Sequence, residues 1–228
     1  MFVYLSSLFI FGLIIGSFIS ALTYRIPRNL DFIKGRSFCD SCKKNLFWYD
    51  NIPLFSYLFY LGKSRCCNKK ISIRYPLIEL TSAFGFVVLY LFSLSPIYYI
   101  LYTISIAILV IDLEHQIIPD ELSWFILLLG LINFSFLNIF SGFLFASVLL
   151  SLHLVTKGRG MGLGDVKLAI PLGLWLGLEK GLNWLMTSFI LGGIVASILL
   201  LLGKAKMKTK IAFGPFLIVG FWIIIFLK

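Results

Sequence analysis

The sequence predicts an all-α polytopic membrane protein, with about eight transmembrane helices and a small cysteine-containing, zinc-ribbon-like cytoplasmic domain after the first helix. Three observations lead there. Of 228 residues, 60% are hydrophobic, 23 are Phe and only 13% are charged, more apolar surface than a soluble domain of this size can use. Apolar runs recur at lengths near the ~20 residues that cross a bilayer core. One polar insertion, residues 23–76, interrupts them and holds all four cysteines and three of the seven prolines.

The candidate spans are Val3–Leu22, Leu77–Leu94, Ile97–Ile111, Leu122–Phe140, Gly142–Val155, Val166–Leu178, Leu182–Leu202 and Ile211–Leu227, the third, fifth and sixth being short. The first is not read as a cleaved signal peptide, because it has no basic n-region and no small-x-small cleavage site after it. The expected division is a first transmembrane helix at 1–22, a cytoplasmic cysteine domain at 23–76 and a membrane domain at 77–228. The insertion is too short to build much core unaided.

Charge orients the chain. Eleven of the 20 Lys and Arg fall between Arg25 and Arg74. Lys157, Arg159 and Lys167 flank a glycine-rich turn, and Lys204, Lys206, Lys208 and Lys210 fill the last loop. In an eight-span arrangement these lie in alternate loops, leaving Lys180 and Lys228 on the other side. The positive-inside rule then puts residues 23–76 in the cytoplasm and both termini outside. Orientation accounts for the net charge of +10, so no nucleic-acid partner is expected; membrane lipid is the expected surrounding.

Within the insertion, Cys39 and Cys42 form a C-x2-C pair that can present two thiolates to one metal from a tight turn. Cys66 and Cys67 follow. A cytoplasmic loop keeps thiols reduced, which favours tetrahedral Zn²⁺ over disulfides, and a four-thiolate site can fold a domain lacking a core. Adjacent cysteines in the second pair point apart in an extended chain and are not expected to form the usual knuckle. Free thiols are the competing reading. Asp40 reads as a turn residue.

The ten acidic residues are few enough for their positions to matter. Asp112, Glu114, Asp120, Glu121 and Asp165 lie at membrane edges on the expected cytoplasmic side, with Glu79 joining them at the second span. Ionisable groups there are functional candidates. Asp112 ends an apolar run, and Asp165 enters from the same face after Gly162-Leu163-Gly164. The 53 residues separating them accommodate two spans, so the two can meet. Paired carboxylates share a proton, one serving as base toward water while the other polarises a carbonyl. Gly162 and Gly164 would allow φ > 0 and close approach of a substrate backbone. The bland alternatives are an N-cap role for Asp165 and a lysine-paired interfacial charge at Asp112. Asp120, after Pro119, reads as a cap of the fourth span. Glu114, Glu121 and His115 read as solvated headgroup-level groups, and His153 as packing or a local hydrogen bond.

Taken in order, "GLIIGSFISALTYRIPR", "GRSFCDSC", "NIPLFSYL", "ISIRYPLIEL", "IDLEHQIIPDEL", "GMGLGDVKL" and "IAFGPFL" resemble the type IV prepilin peptidase family over nearly the whole chain. The resemblance implies catalytic aspartates at Asp112 and Asp165. It implies cleavage of a basic leader from prepilins or pseudopilins after a Gly, at the cytoplasmic face of the inner membrane. It also implies methylation of the new N-terminal amine with S-adenosylmethionine. In such proteins Asn often stands where Asp120 does. The usual cysteine pattern, C-x2-C-x21-C-x2-C, predicts cysteines at 64 and 67; this chain has Ser64, with Cys66 as an addition. Cys39, Cys42 and Cys67 match, and Cys66 must substitute if the metal site is complete. Ala212 stands where Pro is common. No glycine-rich dinucleotide fingerprint occurs in the insertion, so the methyltransferase expectation rests on resemblance around "NIPLFSYL" and Glu79. The competing functions are a G-x-G-D protease with other substrates, and a transporter or scaffold whose aspartates carry protons or cap helices.

Overall fold

In the computed structural model, residues 2–31, 35–133, 135–158, 160–204 and 211–227 are described; the orientation charges Lys34, Arg159, Lys206, Lys208, Lys210 and Lys228 lie outside them. The helices are α1 (Phe2–Arg25), α2 (Phe55–Phe59), α3 (Arg74–Leu91), α4 (Pro96–His115), α5 (Asp120–Gly130), α6 (Phe136–Val155), α7 (Leu163–Leu201) and α8 (Gly214–Phe226). Among the described residues, four helical stretches are long and apolar enough to cross a membrane: Val3–Arg28, Pro96–His115, Phe136–Val155 and Leu163–Leu201. The protein is a multi-pass, all-helical membrane protein. It forms two compact units, Met1–Ala107 and Ile108–Lys228.

In the first unit α1 packs along α3. Lipid tails are as apolar as leucine, so membrane helices associate where small residues let backbones approach. Gly12 and Gly16 supply that contact. A Cβ at Gly12 would stand 2.6 Å from Ala83 Cα, and one at Gly16 2.5 Å from Glu79 Cα. Each partner is four residues from the next, so one stripe of α1 meets one stripe of α3. Phe9 closes the contact edge-on to Phe84, with ring centroids 5.4 Å apart. At the end of α1, buried Arg25 donates to the carbonyls of Asp31 (3.3 Å), Gly35 (2.9 Å) and Arg36 (3.0 Å), which gathers the loop leading to the cysteines.

In the second unit the expected fourth span, Leu122–Phe140, is not one helix. The helical run of α5 ends at Gly130, a 3₁₀ turn follows at Leu131–Asn133, and α6 begins at Phe136. A Cβ at Gly130 would meet Leu174 Cδ2 at 2.6 Å, so the helix closes where α7 leaves no room for a side chain. Trp175 Nε1 donates to the Ile126 carbonyl at 3.1 Å and ties α5 to α7.

α7 breaks at Gly177, whose φ of 69° and ψ of −172° are non-helical. The break reverses the chain. Asp165 and Gly192 both lie beside the start of α8: the Gly214 amide faces Asp165, and a Cβ at Gly192 would stand 3.2 Å from the Phe213 ring. On a straight helix those residues would be about 40 Å apart at 1.5 Å per residue. α6 lies against both arms. Ser141 Oγ donates to the Gly173 carbonyl at 2.8 Å on the first arm, and Phe145 meets Trp184 edge-on at 6.0 Å on the second. Trp184 Nε1 donates to the Leu217 carbonyl at 2.8 Å, fixing α8 beside the second arm.

Candidate active site and metal centre

Asp112 and Asp165 come together in the second unit. Asp112 lies in the last turn of α4 and Asp165 in the first turn of α7; both are buried, at 4% and 7% exposure. The two carboxyls are close enough to repel each other, and the Gly214 amide at the start of α8 lies close to both. That amide makes no well-formed hydrogen bond to Asp112 Oδ2, which is buried with no partner. An orphaned buried acceptor is rare enough to need a reason, and a reaction centre supplies one.

Asp165 is not the cap of α7. Gly162 occupies that position, and Asp165, three residues on, reaches back to accept its N–H at 3.1 Å, the carboxylate half of a capping box. Two helix N-termini, of α7 and α8, therefore direct partial positive charge at the carboxyl pair. Gly162 and Gly164 do not serve through positive φ. Gly162 has φ −78° and ψ 149°, and Gly164 is helical. Their contribution is room: a Cβ at Gly162 would stand 3.0 Å from Asp165 Oδ2, and one at Gly164 3.2 Å from Ile118 Cβ.

Gly214 is the residue that sequence reasoning missed. A Cβ there would lie 2.5 Å from Asp112 Oδ2 and 3.0 Å from Ile118 Cδ1. The signal available was "FGPF", a glycine and a proline opening the last helix, which reads equally well as an ordinary helix start.

The turn before Asp165 is held locally. His153 Nδ1 contacts the Met161 carbonyl at 2.7 Å and Thr156 Oγ1 accepts the Gly160 N–H at 3.2 Å, so His153 makes the local hydrogen bond expected of it. Asp120 is not a cap: Pro119 holds that position without a side-chain bond, and Asp120 instead pairs with Lys167 Nζ at 2.8 Å on the surface.

In the first unit the four cysteine sulfurs lie within 4.8 Å of one another and can hold a metal ion. Two matching turns present them. In one, Cys39 N donates to the Lys44 carbonyl at 2.9 Å, Lys43 N to Cys39 O at 2.9 Å, and Phe38 pairs with Asn45. In the other, Ser64 N donates to Lys69 O at 2.8 Å, Asn68 N to Ser64 O at 2.8 Å, and Lys63 pairs with Lys70. Lys43 (φ 59°) and Asn68 (φ 57°) occupy the same left-handed place in each. The second knuckle thus forms after all, on Ser64 and Cys67, because the backbone turn needs the spacing and not the thiol.

Ser64 Oγ lies 3.5 Å from Cys39 Sγ and 3.2 Å from both Cys66 and Cys67 Sγ. Cys66 brings its sulfur 3.0 Å from that of Cys42, and Cys39 and Cys67 are 3.8 Å apart. Two thiolates on one tetrahedral zinc, with bonds near 2.3 Å, stand about 3.8 Å apart. The donor set fits a tetrahedral thiolate-binding ion with a small opening of the Cys42–Cys66 pair. Burial opposes ionisation of Cys39, but the Ser64 hydroxyl and the Cys42 and Ser41 amides outweigh it and bring the thiol down to about 6, prepared for a cation.

Two family models match the chain in succession. Residues 10–93 match the family described as "Bacterial Peptidase A24 N-terminal domain", and residues 99–197 match the "Type IV leader peptidase family". A protein of Pseudomonas aeruginosa named "Prepilin leader peptidase/N-methyltransferase" is 33% identical over 250 residues, covering 93% of this chain and 86% of that one. The chain belongs to the type IV leader peptidase family. Other family proteins with the same name are similarly close: that of Pectobacterium carotovorum is 30% identical over 92% of this chain and 88% of its own, and that of Neisseria gonorrhoeae 32% over 94% and 87%. No solved structure matches the chain.

Proposed function

We propose that this leader peptidase family protein cleaves the basic leader of prepilin-like substrates by a two-aspartate mechanism, and N-methylates the new N-terminus with S-adenosylmethionine as donor. The observation that carries the first activity is the buried carboxyl pair on α4 and α7 around a glycine that has no side chain to fill the space. The names of relatives similar along more than nine-tenths of this chain support the second.

Asp112 and Asp165 hold one proton between them. The ionised member takes a proton from water while the protonated one donates to the scissile carbonyl, and the resulting tetrahedral centre collapses with protonation of the leaving amine. The unpartnered Asp112 Oδ2 suits the role of base, since no internal hydrogen bond competes for it. Gly162, Gly164 and Gly214 leave room for an extended substrate backbone at the pair. Zinc held by Cys39, Cys42, Cys66 and Cys67 is read as structural, stabilising a 23–76 domain otherwise short of core.

Eight membrane passes agree with the break at Gly177, since the 39 residues of α7 would span about 58 Å as one rod against a bilayer core near 30 Å. Charged Glu179 and Lys180 follow that break, as expected of a turn outside the membrane. The apolar helices and the relatives' names support the inner membrane as its location, and the distribution of Lys and Arg supports residues 23–76 in the cytoplasm with both termini outside.

The test is cleavage of a prepilin with a basic leader and a Gly-Phe junction by wild type, Asp112→Asn and Asp165→Asn in membranes. Wild type yields leaderless product, and each variant slows cleavage by about 10²–10⁴-fold while keeping its melting temperature. Either variant cleaving at the wild-type rate refutes the mechanism. A product about 14 Da heavier than the leaderless chain, the mass of one added methylene, reports methylation.

A further inference from the structure

The first unit encloses a cavity of about 700 Å³ between α1, the start of α3 and the cysteine loops. Small-molecule sites measure roughly 300–1,000 Å³ and are apolar with a few placed polar groups. This one is lined by Phe18 of α1, by Tyr24, Trp48 and Tyr57, and by the basic residues Arg25, Lys63, Arg65 and Lys70. Glu79, only 7% exposed, lines its α1–α3 end.

The partners of that carboxylate are uncharged. Glu79 Oε2 accepts the Leu54 N–H at 2.9 Å, and the Ser17 hydroxyl is its other partner. The Leu54 amide is delivered by an unusual turn. Leu54 has φ 57° and ψ −43°, and Phe55 N donates to the Pro53 carbonyl at 2.6 Å across it. This is the γ-turn with positive φ, rare and strained for a residue with a side chain, and such strain concentrates at functional sites. Close packing of Gly16 on Glu79 Cα holds the other side. A strained turn and a helix contact thus fix a buried carboxylate at the α1–α3 end of the cavity, and none of the basic residues that line the rest of it, Arg25, Lys63, Arg65 and Lys70, is among its partners. That arrangement takes a cationic ligand. Methyl transfer brings two cationic centres, a sulfonium and a protonated amine.

We propose that this cavity is the methyl-transfer site, taking a sulfonium nucleoside and the N-terminal amine of the cleaved substrate, with Glu79 as the proton acceptor; this rests on the N-methylation reading above. The ammonium gives a proton to the Glu79 carboxylate, which frees the nitrogen lone pair. That pair forms the N–C bond to the methyl carbon as the C–S bond breaks and its electrons return to sulfur. The products are a neutral thioether and a methylated ammonium, and charge balances. Trp48 and Tyr57 offer rings for the adenine and for positive charge, while a Tyr24 face already carries the Arg28 guanidinium, 4.0 Å from its centroid.

The test uses full-length wild type, Glu79→Gln and Ala21→Trp in detergent, with a prepilin substrate; Ala21 lines the cavity on α1. S-adenosylhomocysteine binding is measured by equilibrium dialysis, and cleavage and methylation are read by product mass in the same samples. Ala21→Trp is expected to weaken binding by about tenfold or more, and to lose methylation while keeping cleavage. Glu79→Gln is expected to bind S-adenosylhomocysteine like wild type, to cleave normally and to methylate about 100-fold more slowly. Wild-type binding by Ala21→Trp overturns the location, and wild-type methylation by Glu79→Gln overturns the proton acceptor. If a filler variant also loses cleavage, the milder Ala21→Leu replaces it under the same criteria. A wild type that cleaves but neither binds nor methylates sinks the N-methylation reading itself and this proposal with it.

Discussion

Replacing Gly214 by Ala tests the site at a residue that carries no functional group. The added Cβ would stand 2.5 Å from Asp112 Oδ2, where ordinary contact begins at 3.4 Å, so the carboxyl must retreat by about 0.9 Å. Ile118 Cδ1, 3.0 Å from the same point, blocks part of the alternative movement of α8. A misplacement near 1 Å costs a reaction of this kind about 100-fold. Overpacking of this kind costs about 1–3 kcal/mol of stability, so the melting temperature should fall modestly while the protein stays folded, and the rate should fall by far more than any loss of folded protein explains. The assay is the initial rate of prepilin cleavage in membranes, with thermal melting of the purified variant alongside. A Gly214→Ala protein that cleaves like wild type would show that the Asp112 oxygen is free to move without consequence, and the reasoning about a fixed dyad would fail.

Two further predictions probe the scaffold. Gly177→Ala forces a side chain into a region of φ/ψ space open essentially to glycine and should destabilise the protein by about 1–3 kcal/mol, seen as a lower melting temperature; an unchanged value would mean that α7 does not reverse there. Purified without chelator, the chain should carry about one zinc ion per molecule, and Cys39→Ser or Cys67→Ser should lower that content without abolishing cleavage; metal analysis finding none in wild type would remove the four-cysteine site.

Several features were legible because their physics is local. A carboxylate ending an apolar run or entering one is conspicuous, which is why Asp112 and Asp165 could be singled out without a structure. The break in α7 was foreshadowed by the division of its apolar run into Val166–Leu178 and Leu182–Leu202, although the reversal itself falls at Gly177. Other features depend on what meets what. Gly12 and Gly16 look like any membrane glycines until Ala83 and Glu79 are found against them. Adjacent Cys66 and Cys67 argued against a second knuckle, yet hydrogen bonds between Ser64 and Lys69 and between Asn68 and Ser64 build one.

The sequence by itself determined the class of the molecule, its apolar segments, the pair of aspartates and the family, because hydrophobicity, charge and motif order are properties of residues in line. Tertiary structure alone decided that Gly214 sits against Asp112 and that a γ-turn at Leu54 holds Glu79 at the edge of a cavity. Those depend on segments that are 102 and 25 residues apart, and only packing brings their backbones to the distances at which a missing side chain or one N–H makes a difference.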